Sequence, residues 1–288
     1  MNGRSRSGVA LAVVVLLGLL VAPGLSSSKG LASVVWKPLK APGPSWYTPE
    51  LRSQVIAAGA HGVAIPKGVD VPTSSLVFLG IRPGQLIILT HGNVTSLCTS
   101  NFVFKNGPDF FIGTAGHCGA VGDQVTMLYL PAGLVDIGNV VKSTGDAGIG
   151  NDFALISIHP NLYPDVSPSL AYWGGPTGVY TGSGPAVVMH AGWGVVIGTG
   201  GTPRVGIGTS FTPNEWRFIG AITPGDSGSG ARVSGGEAAG NITHISVGTG
   251  NLLADAAGTS MSKILQILGG GYQLATCSAI PWPLTGCP

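Results

Sequence analysis

From about residue 84 onward, glycine cuts the chain into short apolar runs, and this punctuation limits what it can fold into more than any other feature. The runs "QLIILT", "SNFVFK", "DFFIGTA", "DQVTMLYL", "DFALISI", "AVVMHAGWGVVIG", "EWRFIG", "GARV" and "ITHISVG" are bounded by Gly, Asn, Asp or Pro and have strand character. Their regular spacing predicts an all-β domain of the barrel or sandwich type rather than βαβ units. The 48 Gly and 21 Pro follow no triplet period, which excludes collagen, and 44% hydrophobic residues argue against disorder. One C-terminal helix is expected in "SMSKILQILGG" (260–270), where apolar residues recur at helical spacing and stop at glycines. "YPDVSPSLAYWGGPTG" (163–178), rich in turn formers, is the expected crossing between two halves of the domain.

The N-terminal end reads differently. Arg4 and Arg6 precede the uncharged stretch "GVALAVVVLLGLLVA" (8–22), followed by Pro23, Gly24 and serines, as in a secretory signal peptide spanning 1–28. The stretch is shorter than the roughly 20 residues a membrane-spanning helix needs. No later segment is long and apolar enough, so no stable membrane insertion is expected once the signal is removed. Loss of Arg4 and Arg6 brings the 14 Lys and Arg down to 12, against 12 Asp and Glu, so the exported chain is close to neutral. Charged residues are only 9% of the sequence and form no basic stripe, which makes nucleic acid and acidic lipid poor partners. Residues 29–80 read as an N-terminal extension or pro-region. Within them "KPLKAPGPSWYTPE" reads as an exposed proline-rich linker, and "LRSQVIAAGAHGVAI" (51–65) as a short amphipathic helix running into a turn. The main domain spans 81–288.

Cys98, Cys118, Cys277 and Cys287 are an even set in a chain expected to be secreted, which points to two disulfides. Three pairings are formally possible, and neighbours in sequence, Cys98–Cys118 and Cys277–Cys287, are the simplest. No C-x-x-C or H-x-x-x-H spacing occurs, so neither a metal nor a cofactor is expected. Asn93-Val-Thr and Asn241-Ile-Thr match the glycosylation tripeptide, which has meaning only in a eukaryotic secretory pathway.

The stretch "AITPGDSGSG" (221–230) presents Ser227 among glycines. In a chain this glycine-rich, such a run alone is also what a tight turn looks like. A serine hydroxyl becomes a nucleophile only beside a base. His117, in "FFIGTAGHCG", ends a strongly apolar strand in small residues beside a cysteine. His61, His91, His159, His190 and His244 have no comparable setting, although His91 and His244 stay open as alternatives. For the carboxylate that holds an imidazole in one tautomer, Asp152 in "GNDFALISI" stands at a loop–strand junction, whereas Asp136 and Asp146 read as solvated residues of glycine-rich loops. Trp193 and Trp216 read as core or cleft-wall residues.

In that order, "TAGHC" (114–118), "NDFALI" (151–156) and "PGDSGSG" (224–230) resemble the three catalytic blocks of chymotrypsin-like (trypsin-type) serine peptidases, and secreted bacterial members more than animal ones. The likeness covers about residues 81–270, with only the three blocks specific. It implies two antiparallel six-stranded β-barrels with a C-terminal helix: a first barrel over about 81–165, a second over about 175–270 and a tail at 271–288. It implies His117 as general base, Asp152 as its orienting acid, Ser227 as nucleophile, and an oxyanion hole from Gly225 and Ser227. The resemblance also fits Cys98–Cys118, makes Asp226 a structural acid with no partner apparent in sequence, and sets Ala221 at the base of the primary pocket. By the same resemblance, Ser246, Val247 and Gly248 fall where the family has its substrate-pairing strand. The implied activity is that of a secreted, monomeric serine endopeptidase acting on proteins or peptides beside apolar or small residues. The other reading is a catalytically silent, protease-like binding or adhesion module. An α/β-hydrolase is disfavoured, because the promising His and Asp both precede the serine.

Overall fold

A computed structural model describes residues 35–69, 79–194, 200–247 and 254–277. The chain divides into Met1–Ser33, which lies outside the described residues with the expected signal segment, and a compact unit from Val34 to Pro288. In chain order the elements begin with β1 (Val35–Pro38), β2 (Ala41–Pro42) and helix α1 (Pro49–Ala58). Next come β3 (Leu86–His91), β4 (Val94–Thr99), β5 (Val103–Asn106), β6 (Asp109–Thr114), β7 (Gln124–Tyr129), β8 (Gly133–Ser143) and β9 (Ala154–Ser157). The second half holds β10 (Ala186–Trp193), β11 (Gly200–Phe211), β12 (Glu215–Gly220), β13 (Gly230–Val233), β14 (Ala238–Asn241), β15 (His244–Val247) and β16 (Ala254–Thr259). Helix α2 (Met261–Leu268) and β17 (Tyr272–Leu274) complete the described elements.

Among the described residues the strands form two antiparallel sheets, ordered β17-β5-β6-β9-β8-β7-β3-β4-β2 and β1-β15-β16-β12-β11-β10-β13-β14. In the first, β4 and β5 follow one another in sequence yet lie near opposite ends of the order; in the second, β14 and β15 do the same. Each pair reads as one bent strand that curls its sheet toward a barrel, with β1, β2 and β17 added at the remaining edges. With the bent pairs counted once and the added strands β1, β2 and β17 set aside, each barrel has six strands.

The first barrel is filled by Ile87, Leu89, Ile112, Val125, Met127 and Ile156. The run "LIILT" of β3 is apolar on both faces, and its outer residues Leu86 and Ile88 need cover. The N-terminal segment supplies it: Ala41, Tyr47 and Val55 pack there as core residues. The proline-rich stretch is therefore not an exposed linker. Leu39 and Tyr47 are buried, Pro38 and Pro42 sit where a ladder donor is dispensable because β1 and β2 are edge strands, and Pro49 opens α1. Thr48 caps α1 by accepting from the Leu51 N–H at 3.3 Å. Tyr47 Oη lies 2.5 Å from Thr126 Oγ1, and Arg52 Nε donates to Gln124 Oε1 at 2.8 Å. In the second barrel, Trp216, Phe218, Val188, Ala231 and Ala256 form the interior. Helix α2, capped by Ser260 Oγ accepting from the Lys263 N–H, lays Met261, Ile264 and Leu268 against Phe102, Phe104 and Phe153 of the first barrel. The expected tail begins with β17, which pairs with β5 in the first barrel's sheet.

Candidate active site

His117 follows β6, Asp152 precedes β9, and Ser227 lies on the turn before β13. The structure brings them together. His117 Nδ1 lies 2.7 Å from Asp152 Oδ2, and the His117 backbone N–H donates to Asp152 Oδ1 at 3.0 Å. His117 Nε2 lies 2.6 Å from Ser227 Oγ. Both the imidazole and the carboxylate side chains are fully buried. With the Nδ1 proton directed at Asp152, Nε2 is left to accept the proton of the Ser227 hydroxyl.

Asp152 is held from the second barrel. Asn241 Nδ2 donates to the Asp152 carbonyl at 3.0 Å, and the Asp152 N–H donates to Thr259 Oγ1 at 3.0 Å. Asn241 Oδ1 in turn accepts from the Thr259 N–H at 3.1 Å. Asn241 is fully buried, so its tripeptide is no glycosylation acceptor in the folded chain, whereas Asn93 is exposed in the β3–β4 turn. The Cys98–Cys118 disulfide ties β4 to the residue after His117. Cys277 is not free, and Cys287, its expected partner, lies outside the described residues.

The turn at 223–229 is built around Asp226. Its carboxylate accepts from the Thr223 N–H at 2.8 Å and the Gly194 N–H at 2.9 Å, and it forms a buried ion pair with Arg204, whose Nη2 donates to Oδ1 at 2.7 Å. Arg204, on β11, is the partner that the sequence left unnamed. Gly225 adopts φ +100°, and a Cβ there would meet the Trp193 carbonyl at 2.4 Å, so only glycine allows this turn. The Gly225 N–H is thereby aimed out of the turn beside Ser227.

Residues 35–42 occupy this cleft. β1 pairs antiparallel with β15, setting Trp36 opposite Ser246 and Val35 opposite Val247; Gly248 lies outside the described residues. The Leu39 N–H donates to the Thr243 carbonyl at 3.0 Å. The Leu39 carbonyl accepts from the Gly225 N–H at 3.2 Å and lies 2.8 Å from Ser227 Oγ. The Leu39 side chain is fully buried in the cluster holding Ile222, Ile242, Val188 and Ala231. Ala221, expected at the pocket base, is exposed and turns its carbonyl to Arg204 at 3.3 Å; the neighbouring Ile222 is the buried residue.

Two histidines lie nearby. His244 Nε2 is 3.4 Å from Asp146 Oδ1, and its Nδ1 is 3.8 Å from Asp152 Oδ2. Burial lowers the His244 pKa despite the two carboxylates, and His117 lowers it further. Asp146, Asp152 and His244 bring potential metal-ligand atoms within 4.8 Å of one another. Asp152 is already committed to His117, and His244 Nδ1 faces Thr243 Oγ1 at 2.8 Å, so the trio reads as a charge network rather than a metal centre. His91 is far more exposed and pairs with Asp123 at 2.6 Å. Asp136, expected in a loop, lies in β8, 3.7 Å from His159.

Solved structures similar to this chain include Thermobifida fusca Protease A, 23% identical with a TM-score of 0.50, the match covering 68% of this chain and 98% of that one. A Cellulomonas bogoriensis chymotrypsin is 22% identical with a TM-score of 0.46, again over 68% and 98%. This chain has the chymotrypsin-like two-barrel fold. It matches no protein-family model and no curated protein. Among the described residues no helix is long and apolar enough to cross a membrane.

Proposed function

We propose that the protein is an exported serine endopeptidase working through an acyl-enzyme. The observation that carries this reading is the relay from Asp152 through His117 to Ser227, at 2.7 and 2.6 Å, with the Gly225 N–H beside it donating to a carbonyl oxygen. Ser227 attacks the substrate carbonyl while His117 takes its proton, and Asp152 stabilises the imidazolium. The Gly225 N–H then stabilises the oxyanion, a donor worth about 3–4 kcal/mol of barrier in the mutagenesis case that sets the scale. His117 next protonates the leaving amine, and water releases the acyl group. The apolar surroundings of the Leu39 side chain support a preference for apolar residues on the acyl side of the cleaved bond. Export is supported by the signal-like N-terminus and the Cys98–Cys118 disulfide, a bond that persists in oxidising compartments.

A fluorophosphonate probe tests this reading. It is expected to label Ser227 in the wild type, to label His117→Ala far more slowly, and to leave Ser227→Ala unlabelled. A folded wild type that stays unlabelled, together with an unlabelled Leu39→Asp variant in which the cleft is vacated, overturns the peptidase reading in favour of a binding module.

A further inference from the structure

Val35–Pro42 crosses the faces of both barrels in the manner of a bound substrate. On one side, β1 extends the second barrel's sheet, with Lys37 opposite Ile245 and Pro38 opposite His244, a strand-addition mode of peptide recognition. On the other, β2 extends the first barrel's sheet, with Ala41 opposite Leu97 and Pro42 opposite Ser96. Between the two ladders lies the Leu39–Lys40 peptide bond. Its carbonyl oxygen takes the Gly225 N–H and sits 2.8 Å from Ser227 Oγ, while the leucine side chain fills the apolar cluster. The oxyanion turn needs no new chain end to form, because Asp226 already has Arg204 as its buried counter-ion. Lys40 is exposed at the mouth of an open cleft of about 530 Å³ that reaches His117, Ser143 and Asp146, giving water a way in.

We propose that the chain cleaves its own Leu39–Lys40 bond, and that this intramolecular step clears the cleft for external substrates. The proposal rests on the peptidase reading above. Ser227 Oγ bonds to the Leu39 carbonyl carbon, the hydroxyl proton passes to His117 and then to the Lys40 nitrogen, and the C–N bond breaks. Water then hydrolyses the Leu39 ester, giving a Leu39 carboxylate and restoring the Ser227 hydroxyl. The two products have different fates. The part ending at Leu39 is held among the described residues by the β1 ladder, the Leu39 backbone bonds to Thr243 and Gly225, the Leu39 side chain and the Trp36 ring against Arg217, and it leaves once the peptide bond to Lys40 no longer tethers it. The part beginning at Lys40 stays, because Ala41, Tyr47 and Val55 are core residues and Val63 exchanges two 2.9 Å hydrogen bonds with Leu134. Residues 29–80 are then neither a wholly removable pro-region nor a passive extension: the cut falls inside them. The Leu39 carbonyl oxygen already lies against the Ser227 hydroxyl and the Gly225 N–H of the same chain, so the reaction is first order in protein.

Full-length wild type, Ser227→Ala and Lys40→Pro chains would be compared by intact mass and N-terminal sequencing. Lys40→Pro places a ring on the leaving nitrogen at an exposed position and spares the core. The wild type is expected to begin at Lys40, with a conversion half-life unchanged over a hundredfold dilution, while both variants keep the bond intact. Ser227→Ala mixed with active wild type is expected to remain largely uncut on the timescale of self-conversion. Wild type that carries an intact Leu39–Lys40 bond yet takes the fluorophosphonate probe or hydrolyses a leucyl peptide overturns self-cleavage and leaves the peptidase reading standing. Conversion that accelerates in proportion to concentration overturns the intramolecular step. If neither wild type nor Leu39→Asp is labelled, the peptidase reading falls and the self-cleavage proposal falls with it.

Discussion

Asp226 is fully buried and its counter-ion comes from β11 of the same barrel, so the charge at the centre of the turn that presents Ser227 is balanced by one ion pair, beside the Thr223 and Gly194 N–H bonds. Removing one partner of a buried pair leaves an uncompensated charge and costs about 3–5 kcal/mol. Arg204→Met is therefore expected to lower the urea midpoint steeply and to abolish probe labelling. The double variant Arg204→Met/Asp226→Asn, with no stranded charge, is expected to recover most of the lost stability. Equal losses in the single and double variants would show that the pair is not what holds the turn. At this scale, His117, Asp152 and Ser227 stood out in the sequence because each sits at the end or start of an apolar run with unusual neighbours. Arg204, Asn241 and Thr259 did not. Each is a common polar residue in glycine- and alanine-rich sequence, and its partner is distant: Arg204 is 22 residues from Asp226, and Thr259 is 107 from Asp152. Leu39 was hidden by its prolines, which read as solvent-exposed chain, whereas two sheet edges had room for them.

The elements were legible where apolar side chains face inward, and illegible where that pattern inverts. β11 points Val205 and Ile207 to the surface and turns Arg204, Gly206 and Gly208 inward, so the alternation that marks a strand marks the wrong face. The inward glycines exist for space. A Cβ on Gly206 would meet the Ile219 backbone carbonyl at 2.6 Å and Phe218 Cδ2 at 2.9 Å, where the Phe218 ring stacks on Trp216 at 5.0 Å between centroids. Gly206→Ala is expected to cost about 1–3 kcal/mol, the usual range for overpacking a filled core. A thermal melt checks this, and an unchanged Tm would mean that β12 shifts away freely. α2 was readable for the opposite reason. Its apolar positions keep helical spacing, a serine caps it and glycines end it, so local and tertiary preferences agree.

For the molecule as a whole, acid sensitivity follows from an uncharged buried histidine. His190, on β10, is fully buried, and its pKa is lowered to about 3, first by burial and then by the positive charge of Arg204. In the unfolded chain it titrates near 6.5. Between those values the unfolded state holds more protons than the folded one, so stability rises with pH through this window and is lost as pH falls through it. Above about 6.5 the group is neutral in both states and contributes no pH dependence. Each unit of acidification inside the window costs up to about 1.4 kcal/mol, or about 2 kcal/mol at pH 5. His244, whose pKa is also lowered, acts in the same direction. Replacing the imidazole by an apolar side chain isolates the His190 part. Urea unfolding of wild type and His190→Leu, each in the Ser227→Ala background to prevent proteolysis, would be measured at pH 7.5 and pH 5. The wild type is expected to lose about 2 kcal/mol more than the variant between the two. Equal losses would mean that His190 is charged inside the barrel at pH 5, and that Arg204 and Asp226 rearrange to receive a second cation.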